Sequence, residues 1–300
     1  GTVSEAARRM NITQPALSRT LSGFEEELGV ALFRRVRRRL VPTPEALALV
    51  RDVERALIVL DEIPTLARDI KADHADTVRI AALPRLAHGL VGPAIRALRA
   101  RRPGPRYIVD IRERREVERW VASRINDLGL VTLPVEHPAI ALEAFARVRL
   151  CAIVPAGHPL SHRTDIGINE VAGDPLILPA EGTMMRQRLE QVFAEANVRP
   201  HAAIECPSTV LACQFVGDGL GYTISDPIST ALNPAAVRAV PLRPRVDIQL
   251  GFVGPLGRSA SPTTAELRQE IALVAERYGA EPIGGADDGD RRVHAFKVST

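Results

Sequence analysis

Residues 13–35, TQPALSRTLSGFEEELGVALFRR, read as a helix with a sharp start and a sharp stop, followed by a turn back. Thr13 offers an N-capping hydroxyl, and Pro15 falls in the first turn, where its missing N–H costs nothing. Ala16, Leu17, Phe24 and Leu28 mark an apolar side, while Gln14, Ser18 and Arg19, at i, i+4 and i+5, share a polar one. Gly29 predicts the end of the helix. Immediately upstream, SEAARRM from Ser4 reads as a shorter helix that stops at Asn11, a residue suited to a helix-ending turn. Two helices joined by a tight turn are the arrangement in which the second lies in the DNA major groove with its leading side chains toward base edges. Gln14, Ser18 and Arg19 suit bidentate contacts there.

Past Gly29 the apolar pair Leu32-Phe33 is placed to tuck a hairpin wing against this helix. The formal net charge is only +3, but 37 of the 39 basic residues are Arg, and five of the six positions 34–39 are Arg. The first 44 positions hold eight Arg against four Glu. Such density points at phosphates, because guanidinium forks onto anionic oxygens and released counterions favour the contact. A solvated basic loop is the plain alternative, and the helix pair just before it favours DNA.

Residues 13–35, with Arg38 and Thr43-Pro44-Glu45, closely resemble the N-terminal winged helix-turn-helix of LysR-type transcriptional regulators. The resemblance implies that Gln14, Pro15, Ser18 and Arg19 lead a recognition helix and that Arg35 and Arg38 are the basic residues of the wing. Ser4 and Thr13 complete the candidate DNA-binding set. Phe24 stands where Leu is usual, Ala46 replaces the usual Gly after the wing, and Gly23 sits mid-helix at a cost of about 1 kcal/mol relative to Ala. The family has a further helix before the position where this chain begins, so the DNA-binding domain, residues 1–43, is expected to lack its first helix.

Residues 44–71 form the next element. Ala46, Val50, Val53, Leu57 and Leu60 are spaced 4, 3, 4, 3 between charged positions, an a/d seam. A seam this short packs on its own domain or pairs two chains, and the resemblance implies a dimerising linker helix. Pro64 interrupts the pattern, and the polar stretch to Asp76 reads as a hinge.

From Thr77 the chain alternates between strand and helix. Strands are expected at 78–83, 107–111, 128–132, near 148–154, 176–178, 201–205, 220–224 and 247–253. Helices are expected at 87–98, 114–123, 183–196, 208–216 and 263–278. Alternation of this kind predicts parallel sheets covered on both faces. The implied α/β architecture is two lobes joined by crossovers near 145 and 246: lobe I from 77–145 and 247–279, lobe II from 146–246. It resembles the type 2 periplasmic-binding-protein fold of LysR-type effector domains, within an effector-binding domain of 77–279. The tail 280–300 reads as disordered.

Ligands in such a cleft sit at the carboxyl ends of strands and face helix N-termini, where free N–H groups and the helix dipole favour anions. Five segments fit: Leu83-Pro84-Arg85, Thr132, Glu181-Gly182-Thr183-Met184, Pro207-Ser208-Thr209 and Ser225-Asp226-Pro227, with Pro84, Arg85, Thr132, Gly182, Thr183, Ser208, Thr209, Ser225 and Asp226 as the candidate contacts. Each alone is an ordinary strand end or helix cap, so the cluster is the stronger signal. Arg85 and Arg186 are candidate counter-charges, with surface exposure as the default expectation for both. The GTM turn, the Ser-Thr pair and GLGYTISDP are similar to the octopine and nopaline regulator subgroup, which implies a carboxylate or amino-acid-like effector.

The other function classes find little support. No apolar run reaches the roughly 18 residues of a spanning helix, and the first twenty positions carry charge in place of a signal peptide's apolar stretch. Cys151, Cys206 and Cys213 lack CxxC spacing and read as small buried residues, so cytoplasm is the expected compartment. There is no GxSxG elbow, P-loop or HExxH, and the run GDGLG at 217–221 precedes a strand instead of opening a helix. No enzyme, cofactor or metal site is implied; His158 and His162 flank Pro159, which breaks a shared helical face. The expected partners are double-stranded DNA, a small-molecule effector and further copies of this chain, as dimer or tetramer, with no membrane. The alternative function is a metabolite-binding module that has lost DNA binding through a shortened N-terminus.

Overall fold

The computed structural model describes residues 6–8, 12–36, 39–50, 53, 77–173 and 175–283, with the backbone alone at Arg35, Val36 and Arg39. The chain divides into two compact units, 1–75 and 76–300. In the first, helix α1 spans Gln14–Leu28, with Pro15 in its first turn. Gly29 ends it in the left-handed region at φ 67°, its N–H donating back to Glu25 and Glu26 carbonyls, a conformation that favours glycine. Strands β1 (Phe33–Val36) and β2 (Arg39–Pro42) form the antiparallel hairpin, in register Phe33↔Pro42 to Val36↔Arg39. The Glu25 carboxylate holds the hairpin to α1 by accepting from the N–H groups of Leu32 (2.7 Å) and Phe33 (3.0 Å). Leu32 is buried, whereas Phe33 stays exposed.

Residues 44–50 are helical, and Thr43 starts that helix: its hydroxyl accepts from the Ala46 N–H (3.1 Å) and donates to the Ala31 carbonyl (2.9 Å). Ala46 is buried, while Leu47, Val50 and Val53 are exposed. The remaining seam positions Leu57 and Leu60, the hinge before Thr77, and Ser4, Asn11 and Arg38 lie outside the described residues.

The second unit holds two sheets that share a connection. Strands β3 (Thr77–Ala82), β4 (Arg106–Ile111), β5 (Leu128–Thr132), β6 (Ile140–Arg149), β13 (Asp247–Pro255) and β14 (Glu281–Pro282) form a six-stranded sheet in the order β14-β6-β13-β5-β3-β4. Strands β7 (Cys151–Pro155), β8 (Ile166–Gly167), β11 (Thr223–Ser225) and β12 (Val237–Arg243) form a second, ordered β11-β7-β12-β8. The parallel pair β9 (Leu176–Pro179) and β10 (Ala202–Cys206) joins it through a bridge between Leu176 and Tyr222.

Neither sheet is all-parallel, contrary to the expectation from strand–helix alternation. β3 pairs in parallel with β4 and β5, but β13 runs antiparallel to both β5 and β6. The reason is connectivity: β6 and β13 are the limbs of the chain that leave and re-enter the first sheet without an intervening helix. β6 continues to Arg149, past the crossover expected near 145, and Leu150 is the switch residue. Its N–H donates to the Val246 carbonyl (2.7 Å) and its carbonyl accepts from Leu242 (3.2 Å), so the two crossovers lie hydrogen-bonded side by side. The start of the tail expected to be disordered is ordered, since β14 pairs with β6 and Ala280 is buried; residues 284–300 lie outside the described ones.

Helices cover the sheets. After β3 an α turn (Pro84–Leu86), a π-helical turn (Ala87–Val91) and α2 (Gly92–Arg101) follow in succession. Then come α3 (Arg114–Ala122), α4 (Ile168–Ala172), α5 (Met184–Glu195), α6 (Thr209–Gly217) and α7 (Pro262–Glu276). Leu86, Leu90, Val91 and Leu98 recur at helical spacing and are buried with Leu267, Ile271 and Val274 of α7. The lobes also touch directly: a side chain at Gly89 would meet Ile228 Cγ2 at 2.3 Å and its carbonyl oxygen at 2.9 Å. Only glycine lets the π turn approach the 3₁₀ segment Pro227–Leu232 this closely.

Candidate functional site

A cavity of about 480 Å³ opens between the lobes. From lobe I it is walled by the chain leaving β3 (Leu83, Pro84, Arg85), the end of β5 (Thr132) and the start of α3 (Glu113 to Arg115). From lobe II come the turn Gly182 to Met185, the segment Cys206 to Thr209, and Thr223 on β11. Two helices therefore open onto one cavity. Gly182, at φ 77°, turns the chain out of β9, and Thr183 caps α5 by accepting from the Arg186 N–H at 3.2 Å. The Ser208 hydroxyl accepts from the Leu211 N–H (3.4 Å) at the head of α6. Both helix starts carry positive partial charge from unpaired N–H groups, which suits an anion.

Arg85 is buried, against the default of surface exposure, and fastens the two lobes together. Its Nε donates to Asp226 Oδ2 and its Nη2 to the Thr132 hydroxyl, both at 2.6 Å. Asp226 is wholly buried, and its second oxygen, Oδ1, has no partner among the described residues. Asp226 and Ser225 therefore stand behind the cavity wall, where Ser225 shares a hydrogen bond with Ser229 (2.7 Å), and neither lines the cavity as the sequence suggested. Arg186 does not line it either; Glu190 and Glu205 each hold its guanidinium at 2.8 Å. Those two carboxylates satisfy the charge that was a candidate for the ligand.

Pro84, Arg85, Thr132, Gly182, Thr183, Ser208 and Thr209 are brought together on the cavity. Sequence reasoning missed Glu113, Arg114 and Arg115, although the turn from β4 into α3 obeys the same strand-end rule as the segments it selected. It also missed Met185 and Gln187, which with Met184 of the selected turn give the first turn of α5 a part-apolar face, and Cys206, for which there was no signal. The three cysteines are free and buried. Burial, then the charge of Asp226, pushes the thiols of Cys151 and Cys213 up to about 12, which makes them poor nucleophiles at neutral pH. Among the described residues no group of three or more His, Cys, Asp and Glu could hold a metal ion, and no helix is long and apolar enough to cross a membrane. His158 is occupied locally, with its Nε2 2.9 Å from the Tyr222 hydroxyl.

In the first unit Thr13, Gln14, Pro15 and Arg19 are exposed and Ser18 is half-buried, all at the start of α1. Thr13 occupies the N-cap position, but its side chain makes no cap hydrogen bond, so its expected capping role is not realised. Arg34 and the backbone of Arg35 lie in β1 of the wing. The apolar side expected on α1 is not covered by the described residues: no residue of the helix is buried, and Phe24 and Leu28 are exposed.

A winged helix-turn-helix joined to a two-lobed α/β domain whose cleft presents helix N-termini defines a DNA-binding regulator that answers to a small ligand. Residues 1–47 match the family described as bacterial regulatory helix-turn-helix protein, lysR family, and residues 71–275 match the LysR substrate binding domain. The chain belongs to the LysR family of transcriptional regulators. It is 28% identical to the regulatory protein NocR of Agrobacterium tumefaciens (strain T37), over 93% of this chain and 94% of that one. Identity is 31% with the octopine catabolism/uptake operon regulatory protein OccR of Rhizobium meliloti (94% and 90% covered). It is 30% with the transcriptional activator protein LysR of Escherichia coli K12 (87% and 84%). The fold matches HinK of Pseudomonas aeruginosa with a TM-score of 0.58 at 22% identity, covering 91% of this chain and 92% of that one. Full-length CbnR, solved with its target DNA, matches at 0.55 and 18%, covering 92% and 94%. The match over residues 1–47 disfavours a metabolite-binding module without a DNA-binding part, and the family is not enzymatic.

Proposed function

We propose that this regulator works in the cytoplasm, holds a small carboxylate or amino-acid-like effector in the interlobe cavity, and reads DNA with Gln14, Pro15, Ser18 and Arg19, aided by Ser4, Thr13, Arg35 and Arg38. The observation that carries the effector reading is the opening of two capped helix starts, at Thr183 and Ser208, onto one cavity closed from the other lobe by Arg85 and Thr132. The domain division that goes with it is 1–43 for DNA, 44–71 for a linker helix that pairs copies into dimers or tetramers, and 77–279 for the effector. Exposed Leu47, Val50 and Val53 along the linker support the pairing. OccR's name ties it to octopine, an amino-acid conjugate, which supports the effector class.

The effector transmits a signal only if it favours one arrangement of the subunits over another; equal affinity for both would shift nothing. Calorimetry with succinate, benzoate and the common L-amino acids tests the site. Each cap hydroxyl contributes about 1 kcal/mol to its helix, so Thr183→Ala and Ser208→Ala are expected to fold and to bind the responding compound at least several-fold more weakly. Undiminished affinity in both variants removes the helix starts from the site.

A further inference from the structure

The charged side chains that line the cavity are the arginines Arg85, Arg114 and Arg115, with one exception. Among the residues that line it, Glu113 is the single carboxylate. It stands on lobe I at the head of α3, across the cavity from the starts of α5 and α6 on lobe II.

Nothing in the described structure neutralises it. Glu113 occupies the N-cap position of α3, yet its side chain makes no cap hydrogen bond. Of the cations on the same wall, Arg115 is exposed and forms no ion pair with Glu113 among the described residues, and the other two are engaged elsewhere. Arg114 donates to the Pro134 carbonyl (2.7 Å) and faces Glu118 at 3.4 Å. Arg85 is held by Asp226 and Thr132. Desolvation, and then the charge of Glu116, push the Glu113 carboxyl above the ordinary carboxylate range.

We infer that Glu113 is the specificity-determining residue of this cleft and that the effector is a zwitterion, an amino acid whose protonated nitrogen pairs with Glu113 while its carboxylate rests on the starts of α5 and α6. One ligand then spans both lobes, its nitrogen on lobe I and its carboxylate on lobe II. A plain carboxylate would use only lobe II and leave Glu113 unpaired beside it, so the cleft selects against it. This inference rests on the cleft being the effector site and adds to it the ligand's second charge.

The test uses the full chain and thermal shift followed by calorimetry, with the common L-amino acids set against succinate, glutarate and benzoate. At least one amino acid is expected to stabilise the wild type well beyond the three plain acids. Glu113→Gln, which keeps shape and removes charge, is expected to weaken that amino acid about tenfold to a hundredfold, the range of a charge-assisted hydrogen bond. Glu113→Lys is expected to shift preference toward succinate or glutarate. Because Glu113 makes no cap bond, both variants retain the fold, which circular dichroism verifies. Preference for plain acids in the wild type, or no response to any compound, overturns the inference. Binding lost in Ser208→Ala but retained in Glu113→Gln overturns it while leaving the cleft intact; binding retained in Thr183→Ala, Ser208→Ala and Glu113→Gln alike overturns the cleft reading as well.

Discussion

The ion pair between Arg85 and Asp226 shows how far a single residue's role depends on what lies beyond its neighbours. The pair links the end of β3 in lobe I to the end of β11 in lobe II, 141 residues apart in sequence, with both side chains almost fully withdrawn from solvent. Removing one partner leaves the other charge buried alone, a loss of about 3–5 kcal/mol, whereas replacing both by apolar groups is often close to neutral. Arg85→Met is therefore expected to lower stability by that amount in urea denaturation, and Arg85→Met with Asp226→Leu to regain most of it. A double variant no more stable than the single would show that the charges do more than compensate each other. Sequence could select Arg85 and Asp226 because both follow predicted strands, yet it placed them as separate ligand contacts. Their mutual attraction is set by the meeting of two lobes, which no local pattern encodes.

Elements whose faces differ in polarity were legible. The apolar spacing through residues 87–98, the amphipathic α7, and Gly29 at the end of α1 all correspond to what is observed. β6 was legible only at its end because its sequence, IALEAFARVR, mixes three alanines with charged residues and has weak strand propensity; pairing on both sides with β13 and β14 overrides it. β12 was missed for a related reason, since Pro241 interrupts its apolar pattern. The π turn was not visible at all. Its glycine is explained by contact across the lobe seam, so Gly89→Ala should force the methyl into Ile228 and cost about 1–3 kcal/mol, the usual penalty of overpacking. Ile228→Ala in the same chain should recover only part of this, because the Ile228 carbonyl oxygen stays 2.9 Å from the new methyl. Urea midpoints of the three variants check the order; a Gly89→Ala chain as stable as the wild type would show that the seam yields freely.

At the scale of the whole molecule the charge is divided by function: the basic run lies in the DNA-binding unit, while many arginines of the second unit sit beside carboxylates, as Arg101 does with Glu270 and Arg245 with Asp247. Paired arginines contribute little to attraction at a distance, so the wing and the leading turn of α1 should account for the salt dependence of DNA binding. Each phosphate contact releases counterions and adds about 0.9 to the slope of log affinity against log salt on duplex DNA. Arg35→Gln and Arg38→Gln are each expected to lower that slope by about one and to weaken binding evenly across sequences. Arg19, placed for base contact, should behave differently: Arg19→Ala is expected to weaken the operator complex by about 1–3 kcal/mol and relax its sequence preference. Mobility shifts between 50 and 200 mM salt, on the DNA upstream of the gene and on an unrelated duplex, separate the two behaviours. A slope unchanged in both wing variants would remove Arg35 and Arg38 from the phosphates and leave the salt dependence to Arg34, Arg37 and Arg39 of the same basic run.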